Sequence, residues 1–257
     1  MGVLTLPVEP LSDTQLGVGL WVSWLDFGTY SAQLYEWLSY DERARAGSFL
    51  EAQDGDRFVA CRGILRGLLS DAVGVEPRQL RFEGQLGTAK PRLAWPAAPV
   101  SFNLSHSAGR ALFGIAQSVN VEGIGVDIER VRTDVDFDAV AARYFSVQEQ
   151  NSLRSIVNRS ERLAAYFACW TRKEAVVKGM GVGLSMPLHL FDVPVFARGR
   201  AEVIVRCPGA KLVDGWMVQS HDLGPGWAAA VSTLVLNNQD GVSAAPFSPS
   251  LPAFNQC

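Results

Sequence analysis

Apolar and polar residues alternate along this chain at two periods, and the changes of period divide it. Residues 17–27 (GVGLWVSWLDF) are almost continuously apolar and stop at Gly28, which predicts a buried or half-buried strand. Residues 30–52 carry a polar-faced helical pattern. From Asp54 to about Ala72, the residues Phe58, Cys61, Ile64, Leu65, Leu68 and Leu69 recur at helical spacing, and Gly74 and Pro77 close the element. Short strand patterns follow at 80–82, 92–95, 100–104, 110–117 and 123–130, the last two joined by a loop over 118–122.

The same order then recurs. The strand at 124–130 precedes a polar helix over about 137–157. A second helix over about 161–179 places Leu163, Phe167 and Trp170 on its apolar side, and Gly179, Gly181, Gly183 and Pro187 stop it. Strand patterns return at 201–206, 212–220 and 227–236, with LGPG at 223–226 as a hairpin turn. Strand, helices and strands, met twice, predict an α+β protein. It has two similar α/β subdomains, each a small antiparallel sheet packed with helices, meeting near 115–122. The lobes are expected at 1–119 and 120–236. Residues 237–257, rich in Ser, Pro, Ala and Asn, are expected to form a flexible tail.

Composition narrows the function classes. A chain of 257 residues, 48% hydrophobic and 19% charged, can bury a sizeable core. With 23 basic and 26 acidic residues the net charge is -3, so nothing global favours nucleic acid, and any phosphate must be held by local basic clusters. Cys61, Cys169, Cys207 and Cys257 are scattered, without zinc-type pairs or a dense disulfide framework, which predicts a reducing, cytoplasmic setting. The opening MGVLTLPVEPLSDTQ lacks a signal-peptide pattern, and WAAAVSTLVL is too short to span a bilayer, so no membrane partner is expected.

Candidate chemistry sits in four segments. In IGVDIE, Asp127 and Glu129 are two apart and share one face of a strand, opposite Val126 and Ile128. Such a pair alone reads as a solvated strand face. In WTRKEAVVK, Trp170, Glu174 and Lys178 form an i, i+4, i+8 stripe, which alone reads as a surface Glu–Lys pair. Together the three carboxylates and the ammonium suit a divalent cation bound to a phosphate-bearing substrate. In FNLSHS, Ser105 and His106 leave a strand at Leu104, and His106 reads either as a phosphate ligand or as an ordinary loop histidine. In LGTAKPRL, Pro91 forces Lys90 into an extended conformation, as in an ordinary hairpin. Arg43, Arg45, Arg57 and Arg62 add local positive charge. A Walker-type loop, a strand–GxGxxG–helix unit and a GxSxG elbow are all absent.

In order along the chain, these segments resemble the Sfp-type 4'-phosphopantetheinyl transferases. GVDIERV is similar to the family's G-(I/V)-D-(I/V)-E segment. WTRKEAVVKGMGVGLSMPL is similar to its W-(S/T)-x-K-E-(A/S)-x-x-K helix and following G-x-G-L. FNLSHS resembles F-N-x-S-H-S, GTAKP resembles the G-K-P turn, and LSYDERARAGSFLEAQDGDRF resembles the S-x-x-E-x-x-R...F segment. The likeness runs from about 39 to 190 and is specific as an ordered set. It implies the two-lobed transferase fold with pseudo-two-fold symmetry, as a monomer.

It also implies a reaction: the 4'-phosphopantetheine arm of coenzyme A passes to a serine of an apo acyl or peptidyl carrier protein, releasing 3',5'-ADP. Mg²⁺ would be held by Asp127, Glu129 and Glu174. Glu174 would also serve as proton acceptor, and Lys178 and His106 would contact phosphate oxygens. Arg45 would take the 3'-phosphate, with Lys90 and Ser105 near the nucleotide. The carrier would meet residues 132–160, where Val135, Phe137, Phe145 and Val147 read either as apolar contacts or as ordinary core packing, and Arg132, Arg143 and Arg154 offer charge. Two departures stand out: the GTAKP turn carries extra residues, and Glu42 occupies a position that is usually basic, with Arg43 as a substitute. A non-catalytic coenzyme A or carrier-binding module of the same fold is the alternative; retention of all three carboxylates favours the enzyme.

Overall fold

The computed structural model describes residues 4–11, 18–26, 31–84, 90–183, 186–196, 200–205, 213–235 and 253–254. Three strands come first: β1 (Leu4–Thr5), β2 (Glu9–Pro10) and β3 (Gly19–Trp24), the last being the apolar run expected at 17–27. The polar-faced stretch after it folds as two helices, α1 (Ser31–Trp37) and α2 (Tyr40–Ala46). Ser39 starts the second. Its hydroxyl accepts the Glu42 N–H at 3.3 Å, while the Glu42 carboxylate accepts the Ser39 N–H at 2.9 Å. The long helix α3 (Ala52–Val73) ends at Gly74, whose φ of 70° suits a residue without a Cβ.

Strands β4 (Arg81–Glu83), β5 (Arg92–Trp95), β6 (Val100–Ser107), β7 (Arg110–Gln117) and β8 (Val121–Arg130) follow. Then come α4 (Phe137–Tyr144), α5 (Val147–Arg154), α6 (Arg159–Met180), β9 (Arg200–Val205), β10 (Val213–His221) and β11 (Trp227–Val235). Of the expected tail, the described residues are those of β12 (Ala253–Phe254), which pairs with β1.

Two sequence expectations change. The helix expected over 137–157 is two helices, because Ser146 and Glu149 form a second capping box (3.2 and 2.9 Å). Strand β6 runs to Ser107 rather than ending at Leu104, so Ser105 and His106 lie within the strand. The hairpin turns at Ala108 and Gly109, with φ of 45° and 77°.

The strands form two four-stranded antiparallel sheets, ordered β2-β3-β7-β6 and β9-β10-β11-β8. Their connectivity matches. In each, the leading long strand pairs with the last, and the last with the one before it: β3-β7-β6 and β8-β11-β10. Each sheet packs a 22-residue helix on one face, α3 or α6. Alternation in β7 sends Ala111, Phe113 and Ile115 to the α3 core, and Leu112 and Ala116 to a core between the sheets. That central core also takes Val18 and, from β3, Leu20 and Val22, and Ile124, Val126 and Ile128 from β8.

β6 and β8 meet through side chains. Along β6 every second residue is polar and reaches β8. The Ser101 hydroxyl donates to the Val121 carbonyl (3.4 Å), and the Asn103 Oδ1 accepts the Val126 N–H (2.8 Å). Ser105 donates to Asp127 and Ser107 to Glu129, both at 2.9 Å. Partners on β8 advance as those on β6 advance, so the two strands run alongside each other in the same direction. Among the described residues, no helix is long and apolar enough to cross a membrane.

Candidate active site

Asp127 and Glu129 reach the site because β8 alternates: their neighbours Val126 and Ile128 enter the central core and turn both carboxylates the other way. On that same face β8 carries Gly123 and Gly125. A Cβ on Gly125 would lie 1.9 Å from the Ala175 carbonyl oxygen and 2.3 Å from the Gly179 nitrogen. Helix α6 therefore lies directly on the strand. Glu174 and Lys178, one turn apart, come down beside Asp127.

The Lys178 ammonium donates to Asp127 Oδ1 at 2.5 Å and to Ser105 Oγ at 2.9 Å. Ser105 donates onward to the same Asp127 oxygen. Asp127 is 2% exposed and Glu174 9%. Asp127 Oδ2 and Glu174 Oε1 are buried with no hydrogen-bond partner among the described residues. Burial raises the pKa of all three carboxyls above the ordinary carboxylate range. For Glu129 and Glu174 the negative charge of Asp127 adds to it; at Asp127, Lys178 works against it.

These orphaned oxygens and mutually repelling charges fit a divalent cation. Among the described residues, no group of three His, Cys, Asp or Glu side chains forms a ready-made cage. Mg²⁺ does not require one, since it keeps waters and uses substrate phosphate oxygens beside one or two carboxylates.

A carboxyl whose folded pKa is raised binds its proton more tightly in the folded state. Its contribution to stability is present at acid pH and is lost as pH rises through that folded value. Glu174→Gln removes this repulsion. The variant is expected to melt about 2–4 °C above wild type at pH 8 in the absence of metal, to match it more closely at pH 5, and to lose activity. Thermal melts at both pH values check this, and a lower melting temperature at pH 8 would contradict it.

Lys178 also lines a cleft of about 810 Å³ between the lobes, with His106, Lys90, Arg57, Phe58 and Phe102. His106 is open to the cleft, yet burial first and then Lys178 and Arg57 hold its imidazole below the ordinary value. A charge-assisted bond from His106, as expected from the sequence, therefore depends on an arriving anion to favour the protonated ring. Lys90 does not extend freely into the cleft. Its ammonium donates to the Ile124 carbonyl (2.6 Å) and the Gly179 carbonyl (2.9 Å), tying the first lobe to β8 and α6. Burial, then Arg92, pushes its pKa down to about 8. Residues 87–89 of the GTAKP turn lie outside the described residues, as do Leu184 and Ser185 of the glycine-rich segment.

Arg45 is exposed. It stacks over Phe49 (5.0 Å), a residue of the cleft lining, which places it at the rim. Arg43 is turned away: it donates to the Tyr35 and Glu36 carbonyls and covers the Tyr35 ring. Glu42 is 2% exposed and accepts from Arg62 (2.6 Å) and Arg66 (2.7 Å), binding α2 to α3. Its acidic character is thus structural, and Arg43 is held by the Tyr35 and Glu36 carbonyls.

The middle of the α6 motif is structural as well. Lys173 is fully buried, 2.9 Å from Glu149, and donates to the Leu188 and Phe191 carbonyls. Arg172 donates to Ser220 and the Pro194 carbonyl. Arg57, which sequence spacing left among several surface arginines, lines the cleft and pairs with Asp26 at 2.8 Å. Ser107, the last residue of FNLSHS, carries no role in the sequence reading, though the Ser-x-Ser alternation places it on the same face as Ser105.

A two-lobed fold that gathers carboxylates and an ammonium against a cleft carrying Arg57, Lys90 and His106 suits a protein that handles a phosphate-bearing substrate. The family model "ACPS: 4'-phosphopantetheinyl transferase superfamily" matches residues 123–232, from within β8 to within β11. The 4'-phosphopantetheinyl transferase psf-1 of Bacillus pumilus is 31% identical over 78% of this chain and 81% of its own length. The transferase Sfp of Bacillus subtilis (strain 168) is 27% identical over 76% and 81%. HetI of Nostoc sp. is 37% identical over 58% of this chain, and the match spans 61% of HetI. The chain belongs to the 4'-phosphopantetheinyl transferase superfamily.

Proposed function

We propose that the chain transfers the 4'-phosphopantetheine arm of coenzyme A to a serine of an apo acyl or peptidyl carrier protein, with Mg²⁺, releasing 3',5'-ADP. The observation that carries this reading is the grouping of Asp127, Glu174 and Ser105 around Lys178, which lines the cleft, with two buried carboxylate oxygens unpartnered among the described residues.

The serine oxygen forms a bond to the phosphorus nearer the pantetheine. The bridging pyrophosphate bond breaks, and its electron pair leaves with 3',5'-ADP. Lys178, fixed by Asp127 and Ser105, presents positive charge to the phosphate oxygens without reorganising. Glu174, whose pKa is raised by burial and then by Asp127, would accept the serine proton. Mg²⁺, held by Asp127, Glu129 and Glu174, would offset charge on the pyrophosphate. Arg57, Lys90 and His106 line the space for the nucleotide end, with Arg45 at its rim.

For the carrier, Phe137 and Phe145 are unsuitable, being buried core residues. Val147, 75% exposed on α5, remains, with Val135 half-buried and Arg132, Arg143 and Arg154 exposed. An acidic carrier helix suits these arginines. A monomer in a reducing cytoplasm accords with two lobes in one chain and with Cys61 and Cys169 buried as free thiols.

The test is an apo carrier panel incubated with coenzyme A and Mg²⁺, read by intact mass. A gain of one phosphopantetheine that disappears with chelator supports the reading. Coenzyme A binding with no carrier modified would instead mark a non-catalytic module.

A further inference from the structure

We infer that Ser107 is a positioning residue for Glu129, so that the first lobe sets the geometry of a cation ligand carried by the second. Glu129 is half-buried at the end of β8 and, unlike Asp127, makes no ion pair among the described residues. Its hydrogen bond among the described residues comes from the Ser107 hydroxyl, 2.9 Å from Oε2.

That hydroxyl is itself oriented. It accepts the Arg130 N–H at 3.2 Å, and a hydroxyl has a single proton to donate. With the Arg130 N–H occupying one lone pair, the proton points at Glu129. Ser107 is the last residue of β6 before the turn at Ala108 and Gly109, and its backbone is held in register by β7 through Arg110. The serine is thus fixed on three sides, and the glutamate, free to rotate about three bonds, is fixed by the serine. An outer partner that orients a metal-binding carboxylate in this way typically affects metal affinity by roughly 10–100-fold.

The inference rests on the transferase reading only for the identity of the ion and co-substrate. The experiment titrates Mn²⁺ into the full chain with coenzyme A and without carrier protein, following free Mn²⁺ by electron paramagnetic resonance. Ser107→Ala is expected to bind Mn²⁺ roughly 10–100-fold more weakly. Ser107→Thr, which restores the hydroxyl on a strand that tolerates a β-branched residue, is expected to return near wild type. Glu129→Gln is expected to bind weakly, and adding Ser107→Ala to it should cost nothing more.

In turnover assays the half-saturating Mg²⁺ of Ser107→Ala should rise while kcat at saturating Mg²⁺ stays close to wild type. A general loss of fold would not give that split. Wild-type Mn²⁺ affinity in Ser107→Ala, or a further loss on top of Glu129→Gln, overturns the inference alone. A wild-type protein that takes up no Mn²⁺ with coenzyme A overturns the metal reading and the inference with it.

Discussion

Replacing Asp127 by asparagine is expected to reduce carrier modification by roughly 10²–10³-fold or more, at any Mg²⁺ concentration that can be reached. Two effects act together. The substitution removes one of the two buried oxygens that lack a partner, and with it a negative charge that a cation would neutralise. It also removes the charge that fixes Lys178, whose ammonium lies 2.5 Å from Asp127 Oδ1. An amide oxygen still accepts a hydrogen bond but supplies no charge, so Lys178 is left with neutral acceptors, the amide and Ser105. The lysine side chain is partly exposed and regains its rotamer freedom, so the preorganised charge is lost. Initial rates by intact mass, with circular dichroism to show the fold intact, provide the measurement. Rates within tenfold of wild type would sink the site assignment.

Gly125→Ala is expected to lower the melting temperature by about 6–12 °C, corresponding to about 3 kcal/mol of overpacking, and to abolish transfer. The new methyl carbon would stand 1.9 Å from the Ala175 oxygen, against a closest tolerable approach of 3.0 Å, so α6 must retreat by about 1 Å. Both atoms in the way are backbone, and no side chain can rotate aside. A displacement of that size at reacting groups is worth about a hundredfold in rate. Here it moves Glu174 and Lys178 together. A melting temperature within 2 °C of wild type would show that β8 and α6 are not in the contact described.

Much of the framework was legible because strong periods were closed by strong stops. Helix α3 lies within two residues of its expected bounds and α6 likewise, each ended by a glycine at positive φ, Gly74 and Gly181. The misses have physical causes. The breaks before Tyr40 and Val147 follow from Ser39–Glu42 and Ser146–Glu149, capping boxes visible as Ser-x-x-Glu but overridden by a continuous polar pattern. The extension of β6 to Ser107 was hidden by its polar residues, which look like a loop until β8 is present to receive them. Phe137 and Phe145 read as surface candidates because a short helix cannot show which face is covered. Tyr166 and Trp170, from α6, cover the Phe145 ring. Lys90 was the least legible, since its acceptors lie 34 and 89 residues away.

The side-chain seam between β6 and β8 has a consequence for recombining this protein with its relatives. A continuous sheet would be held by backbone groups, which any sequence supplies. Here the join is written in the residues themselves: Ser101, Asn103, Ser105 and Ser107 on one strand, Asp127 and Glu129 on the other. A chimera cut in the loop between β7 and β8 would separate these partners, although that loop divides the lobes. Grafts that carry 101–107 and 121–130 from the same parent should retain a working cleft, and grafts that mix them should fold as two sound halves around a misaligned centre.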